Sequence, residues 1–153
     1  MPQDDAATEH AGGHGNAAMA THTTLHCLSG CVIGEVAGLM IGTALGLGVW
    51  LTLGLATVLA YISGFSIGLI PLMRAEGLGF FEALRMIWLG EAVSIGAMEI
   101  GMNGTDYLIG GVQSGSVMSP TFWIAIAVAV PVGFLAAWPV NYWLLKRGLR
   151  AGH

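Results

Sequence analysis

Between His26 and Met73 the chain carries a single charged side chain, Glu35. At about 1.5 Å per residue a helix would stretch this run to about 70 Å, more than twice a hydrocarbon core of about 30 Å. It therefore has to cross a bilayer twice. The crossings are expected at residues 26–47 and 50–72, divided at Gly46-Leu47-Gly48, where glycine relaxes the backbone and Trp50 takes an interfacial position. The rest of the chain agrees: of 153 residues, 55% are hydrophobic and 9% charged, which places it among membrane proteins.

A third span is expected at residues 80–102, FFEALRMIWLGEAVSIGAMEIGM, apolar but interrupted by Glu82, Arg85, Glu91 and Glu99. A fourth, residues 121–144, holds no charge, and its Pro131 and Pro139 should kink it without abolishing it. With four spans, Arg74, Arg85, Lys146, Arg147 and Arg150 all fall on one side, while the 103–119 loop has no lysine or arginine. Both termini are thus expected in the cytoplasm, for a multi-pass protein of the cell (inner) membrane. Removing the third span would put Arg74 and Lys146 on opposite faces. Trp50, Tyr107 and Trp123 would mark the outer interface, and Trp138, Tyr142 and Trp143 the inner one.

Residues 1–25 lack the basic start and short apolar stretch of a secretory signal, and their composition cannot bury a core. They are read as a flexible tail containing His10, His14, His22 and Met19, ahead of a membrane domain at 26–147 and a short C-terminal tail at 148–153. A net charge of −4 and the lack of any Lys/Arg stripe exclude nucleic acid as a partner. Gly30, Gly34, Gly38, Gly42 and Gly46 recur every fourth residue, giving span one a stripe that another helix can approach closely. Span one should therefore be buried, with Cys27, Cys31 and Glu35 facing protein.

Cys27, Cys31 and Glu35 stand at i, i+4 and i+8, with His22 and His26 as an offset pair. A disulfide inside a helical turn would be strained, and the cytoplasmic side is reducing. The two thiols either pack as small apolar residues or act as thiolates toward Cu(I), zinc or a mercuric ion. Counted from the cytoplasmic ends of their spans, Glu35 and Glu91 lie about 13 and about 16 Å deep. Met98, Glu99 and Met102 lie further out, with Asp106 just beyond and Met40 and Met86 as additional thioethers. Arg85 has Glu82 one turn back and can snorkel inward. No lysine or arginine is thus left at the depth of Glu35, Glu91 or Glu99. Each acid must be protonated and hydrogen-bonded, open to a water-filled cavity, or matched by a bound cation.

The blocks HCLSGC…GE, AVSIGAMEIGMNGTDY and FWIAIAVAVPVGFLAAWPVNYWLLKRG resemble domain-of-unknown-function family 4396, small bacterial and archaeal membrane proteins, some bearing a copper-oxidase-like label. The resemblance covers about residues 26 to 149. It implies that Cys27, Cys31, Glu35, Glu91, Met98, Glu99 and Met102 belong to the family pattern, and that copper is a candidate ligand.

The expected function is binding, and possible transport, of a soft transition-metal ion such as Cu(I). Its metal set would be His26, Cys27, Cys31, Glu35, Glu91, Met98, Glu99 and Met102, with His22, Met40, Met86 and Asp106 as accessories. A chain with so few helices is expected to form a homo-oligomer. The alternatives are a proton-coupled small-solute transporter subunit working through the glutamates, and a non-catalytic subunit of a larger membrane complex. Nothing points to an enzyme: there is no hydrolytic triad, no Cys-x2-Cys redox spacing and no histidine pair within the hydrocarbon for haem.

Overall fold

A computed structural model describes the backbone of residues 3–149 and the side chains of residues 15–149. Among these residues all regular structure is helical: α1 (Gln3–Ala44), α2 (Val49–Glu76), α3 (Phe80–Ile109), a 3-10 turn (Val112–Ser114) and α4 (Pro120–Lys146). The tail histidines His10 and His14 lie outside the residues with described side chains, and Arg150 outside the described residues.

The element boundaries have local causes. Past Ala44 the chain reverses through Gly46 at φ 66°, a left-handed backbone that a side chain would resist, and the Leu47 N–H closes on the Gly42 carbonyl at 2.9 Å. Gly77 at φ 63° ends α2 in the same way, with Arg74 in the last turn beside the free carbonyls. At the start of α3 the Glu82 carboxylate accepts the Gly79 N–H at 3.3 Å, placing negative charge at the positive end of the helix. α4 opens with Pro120 in its first turn, where the missing N–H costs nothing, and runs unbroken through Pro131 and Pro139.

The four helices form a ring, each packed on its chain neighbours, with α4 closing back onto α1. α1 and α3 also meet across the interior. The glycine stripe seats α1 on α2: a Cβ at Gly30 would lie 3.1 Å from Gly64 Cα, and one at Gly34, Gly38 or Gly42 would collide with the Leu59 carbonyl, the Ala56 backbone or the Thr52 side chain. Ser63 uses this proximity to donate to the Gly30 carbonyl at 2.7 Å. The stripe is thus filled within the chain.

Gly15–Ala44, Val49–Glu76 and Pro120–Lys146 are three helices long and apolar enough to cross a membrane. The apolar window of the first is 56% buried, against 28% for each of the others, as a glycine-striped inner helix requires. Large side chains such as Leu51, Val58 and Ile62 on α2, and Ile124, Val128 and Leu135 on α4, cover the outer faces and suit lipid. α3 has similar length but carries five charged residues, Glu82, Arg85, Glu91, Glu99 and Asp106. Trp50 stacks on Tyr107 at 5.4 Å between ring centroids, and Trp138 on Tyr142 at 5.5 Å, pairing aromatic residues that sequence reading assigned to common interfaces.

The expected boundary at residue 26 falls inside α1, whose candidate span begins at Gly15. Ala20, Thr23 and Thr24 are buried. Trp138 donates to Thr21 at 2.9 Å, and Asn141 to the buried Thr24 at 2.8 Å. Small residues in this segment let α4 come close enough for side-chain hydrogen bonds, a role that their low hydrophobicity conceals. Asn141 thereby ties α4 to α1.

Candidate functional site

The interior face of α1 repeats Thr24, Cys27, Cys31 and Glu35 at intervals of three and four residues, and α3 opposes it with Glu91, Ser94, Met98, Glu99 and Met102; all are buried. Cys27 and Cys31 are free thiols with their Sγ atoms 3.9 Å apart. The Ser94 hydroxyl reaches Cys27 Sγ at 3.9 Å from α3. Both thiols share one buried cluster with Met98 and Met102, walled by Ala60, Ile95, Ala129 and Ala137. Two glycines make the room. A Cβ at Gly64 would come within 3.0 Å of Cys31 Sγ, and one at Gly133 within 3.0 Å of Met102 Sδ.

One turn along α1 from Cys31, the Glu35 carboxyl group hydrogen-bonds that of Glu99 across the bundle. Two carboxyl groups joined this way hold at least one proton between them, since two carboxylates have no donor to offer. Asn103, one turn beyond Glu99, donates to Glu99 Oε2 at 3.1 Å and to Thr57 Oγ1 on α2 at 2.9 Å. The Thr57 hydroxyl in turn bonds Glu99. The group thereby spans three helices. Asp106 lies a turn farther out, where its Oδ2 accepts the Val112 N–H at 3.0 Å and so pins the 3-10 turn over this end of the bundle. The described bases Arg74, Arg85, Lys146 and Arg147 are all exposed.

At the other end of the bundle a cavity of about 310 Å³ opens between α1, α2 and α3, lined by His22, His26, Glu76, Met86 and Glu91 among others. Glu91 is buried, and its carboxylate lies 3.4 Å from where a Gly68 Cβ would stand.

The expected donors therefore separate into three groups. Cys27, Cys31, Met98 and Met102 come together, as do Glu35 and Glu99, while Glu91 and Met86 share the cavity with the exposed His22 and His26. Met40 is exposed. Among the described residues no three His, Cys, Asp or Glu side chains are grouped to hold a metal ion. Sequence reading missed Ser94, Thr57 and Asn103. The register of Ser94 between Glu91 and Met98, and of Asn103 four residues after Glu99, carried a signal for two of them; Thr57 had none.

No curated protein and no solved structure matches the chain. The family whose description reads "Domain of unknown function (DUF4396)" matches residues 17–150, nearly the full length and the whole of the site just described, and the chain belongs to that family.

Proposed function

We propose that this membrane protein binds a soft transition-metal ion, Cu(I) in the first place and zinc or a mercuric ion as alternatives, and passes it through the helical bundle as a carrier and not as an enzyme. The observation that carries the reading is the buried pair of free thiols, 3.9 Å apart and clustered with Met98 and Met102. Two metal–sulfur bonds of about 2.3 Å span up to about 4.6 Å, so one ion fits between the two sulfurs. Thiolate and thioether are the ligands that select Cu(I). The fit concerns the sulfur group alone: His26 stands on the exposed face and serves entry through the cavity, not ligation beside the thiols.

In this reading α3 is the fourth span, which its length and its place between α2 and α4 support, and both termini lie in the cytoplasm of a cell whose inner membrane holds the protein. A homo-oligomer would extend the short pathway. Anaerobic Cu(I) competition on the purified protein tests the core of it. Copper bound by the native chain and lost in Cys27→Ser plus Cys31→Ser supports the reading; equal binding by both overturns it.

The Glu35–Glu99 hydrogen bond favours a second reading, a proton-coupled small-solute transporter subunit in which the shared proton is the coupling species. It requires pH-dependent flux that survives loss of both thiols and disappears in Glu35→Gln.

A further inference from the structure

The two ends of the bundle differ. At one end the cavity runs in as far as the buried Glu91. At the other, beginning one turn past Glu35 on α1, apolar side chains fill the interior: Leu39 of α1, Leu53 and Ala56 of α2, Val112 of the 3-10 turn, and Phe122 and Ile126 of α4. These side chains offer no oxygen, nitrogen or sulfur to an ion, and an apolar constriction blocks passage by staying dry.

Val112 is the part of this layer that no long helix holds. It is the buried residue of the 3-10 turn, and the turn rests on α2, α3 and α4 at once. The turn is braced internally: the Ser114 N–H and hydroxyl both donate to the Gly111 carbonyl, at 3.2 and 2.6 Å, and the Gly115 N–H donates to the Val112 carbonyl at 3.1 Å. Gly110 at φ 89° and Gly115 at φ 66° flank it, a backbone freedom suited to hinges. Its side-chain ties to the helices are narrow. Asp106 Oδ2 accepts the Val112 N–H at 3.0 Å, and beyond the turn the Trp123 indole donates to the Val117 carbonyl at 2.9 Å. The closure is also tight, since a Cβ at Gly111 would collide with the Asp106 carboxyl group and the Ala125 methyl.

We propose that residues 110–115 are a gate, shut in this structure, in which Asp106 hooks the Val112 N–H and release of the hook lifts Val112 out of the apolar layer to open the path toward Glu35 and Glu99. The gate rests on the carrier reading, because it has a use only where something passes through the bundle. A path open at the cavity end and shut at the other is one half of an alternating-access cycle.

The experiment is labelling by a membrane-impermeant maleimide in sealed vesicles that expose one known face or the other. The reporter is Leu39→Cys in the chain carrying Cys27→Ser plus Cys31→Ser, which puts the only thiol in the apolar layer. Expected is slow labelling with the hook intact, and a rise of at least about fivefold in Asp106→Ala and in Gly111→Ala, from the face of residues 110–119 alone. Fivefold is about what one hydrogen bond of ordinary strength contributes to an opening equilibrium. Unchanged rates in both variants overturn the gate, as does fast labelling with the hook intact. A rise from both faces overturns it too, because it reports a loosened bundle. Should Asp106→Ala not fold, Trp123→Phe, which removes the second tie, replaces it; Leu53→Cys replaces Leu39→Cys on the same ground. The reporter chain lacks both native thiols, so the outcome is independent of copper. An unresponsive reporter beside copper binding by the native chain removes the gate and keeps the metal reading, whereas a responsive one beside no copper binding keeps the gate for another solute.

Discussion

Glu99 on α3 accepts from Asn103, one turn away on its own helix, while its carboxyl group meets that of Glu35 on α1. Three helices converge on this one side chain, since Thr57 of α2 bonds it too. Glu99→Ala would strand Asn103, Thr57 and Glu35 inside the bundle. The expected loss is about 1–3 kcal/mol of unfolding free energy in micelles, with a smaller loss for Glu99→Gln, which keeps the shape and an acceptor. Equal stability of Glu99→Ala and the native chain would show that the network does not form.

The α1–α2 contact offers a test with its own control. A methyl group at Gly38 runs into the Ala56 backbone, which cannot rotate away, whereas one at Gly54 meets nothing within 4 Å. Gly38→Ala should destabilise by about 1–3 kcal/mol, the usual cost of overpacking. Gly54→Ala should stabilise by about 0.5–1 kcal/mol through the higher helix propensity of alanine. Unfolding curves that rank the two variants the other way would mean that α1 and α2 do not pack through the stripe.

The bond from Asn141 to Thr24 ties the first and last helices together. A double-mutant cycle with Asn141→Leu and Thr24→Val should return a coupling energy of about 0.6 kcal/mol, the average for interhelical bonds in membranes. A coupling of zero would remove this link.

Much of this architecture can be read from residue order alone. The charge-free run from residue 36 to 73 forces a helical hairpin, and the glycines at every fourth position fix which face of α1 is inside. The thiol pair follows from helical periodicity. The start of α1 does not, because Ala and Thr score as weakly apolar whether they lie in a tail or in a tight helix contact. Nor does the partner of each acid. Equal depth, counted from residue 26, paired Glu35 with Glu91; the candidate span of α1 begins earlier, at Gly15, so Glu35 lies level with Glu99, while Glu91 lies two turns back and lines the cavity with His22 and His26. The axial offset between two helices depends on where each begins, which the weakly apolar start of α1 does not mark.

The path of α3 can be decided by topology reporters. If α3 crosses the bilayer, tags in the connection at residues 77–79 and at the C-terminus report the same side, and a tag at Gly115 reports the opposite one. A tag at Gly115 on the same side as residues 77–79 would place α3 along the membrane surface and would leave its acids outside the bilayer.

X-ray absorption at the copper edge, recorded after anaerobic loading of the detergent-purified protein, addresses the thiol pair most directly. The expected result is stoichiometric Cu(I) with sulfur neighbours in the native chain, and loss of both the copper and the sulfur signal in Cys27→Ser plus Cys31→Ser. Copper retained by the double variant with an unchanged spectrum would contradict a metal site at Cys27 and Cys31.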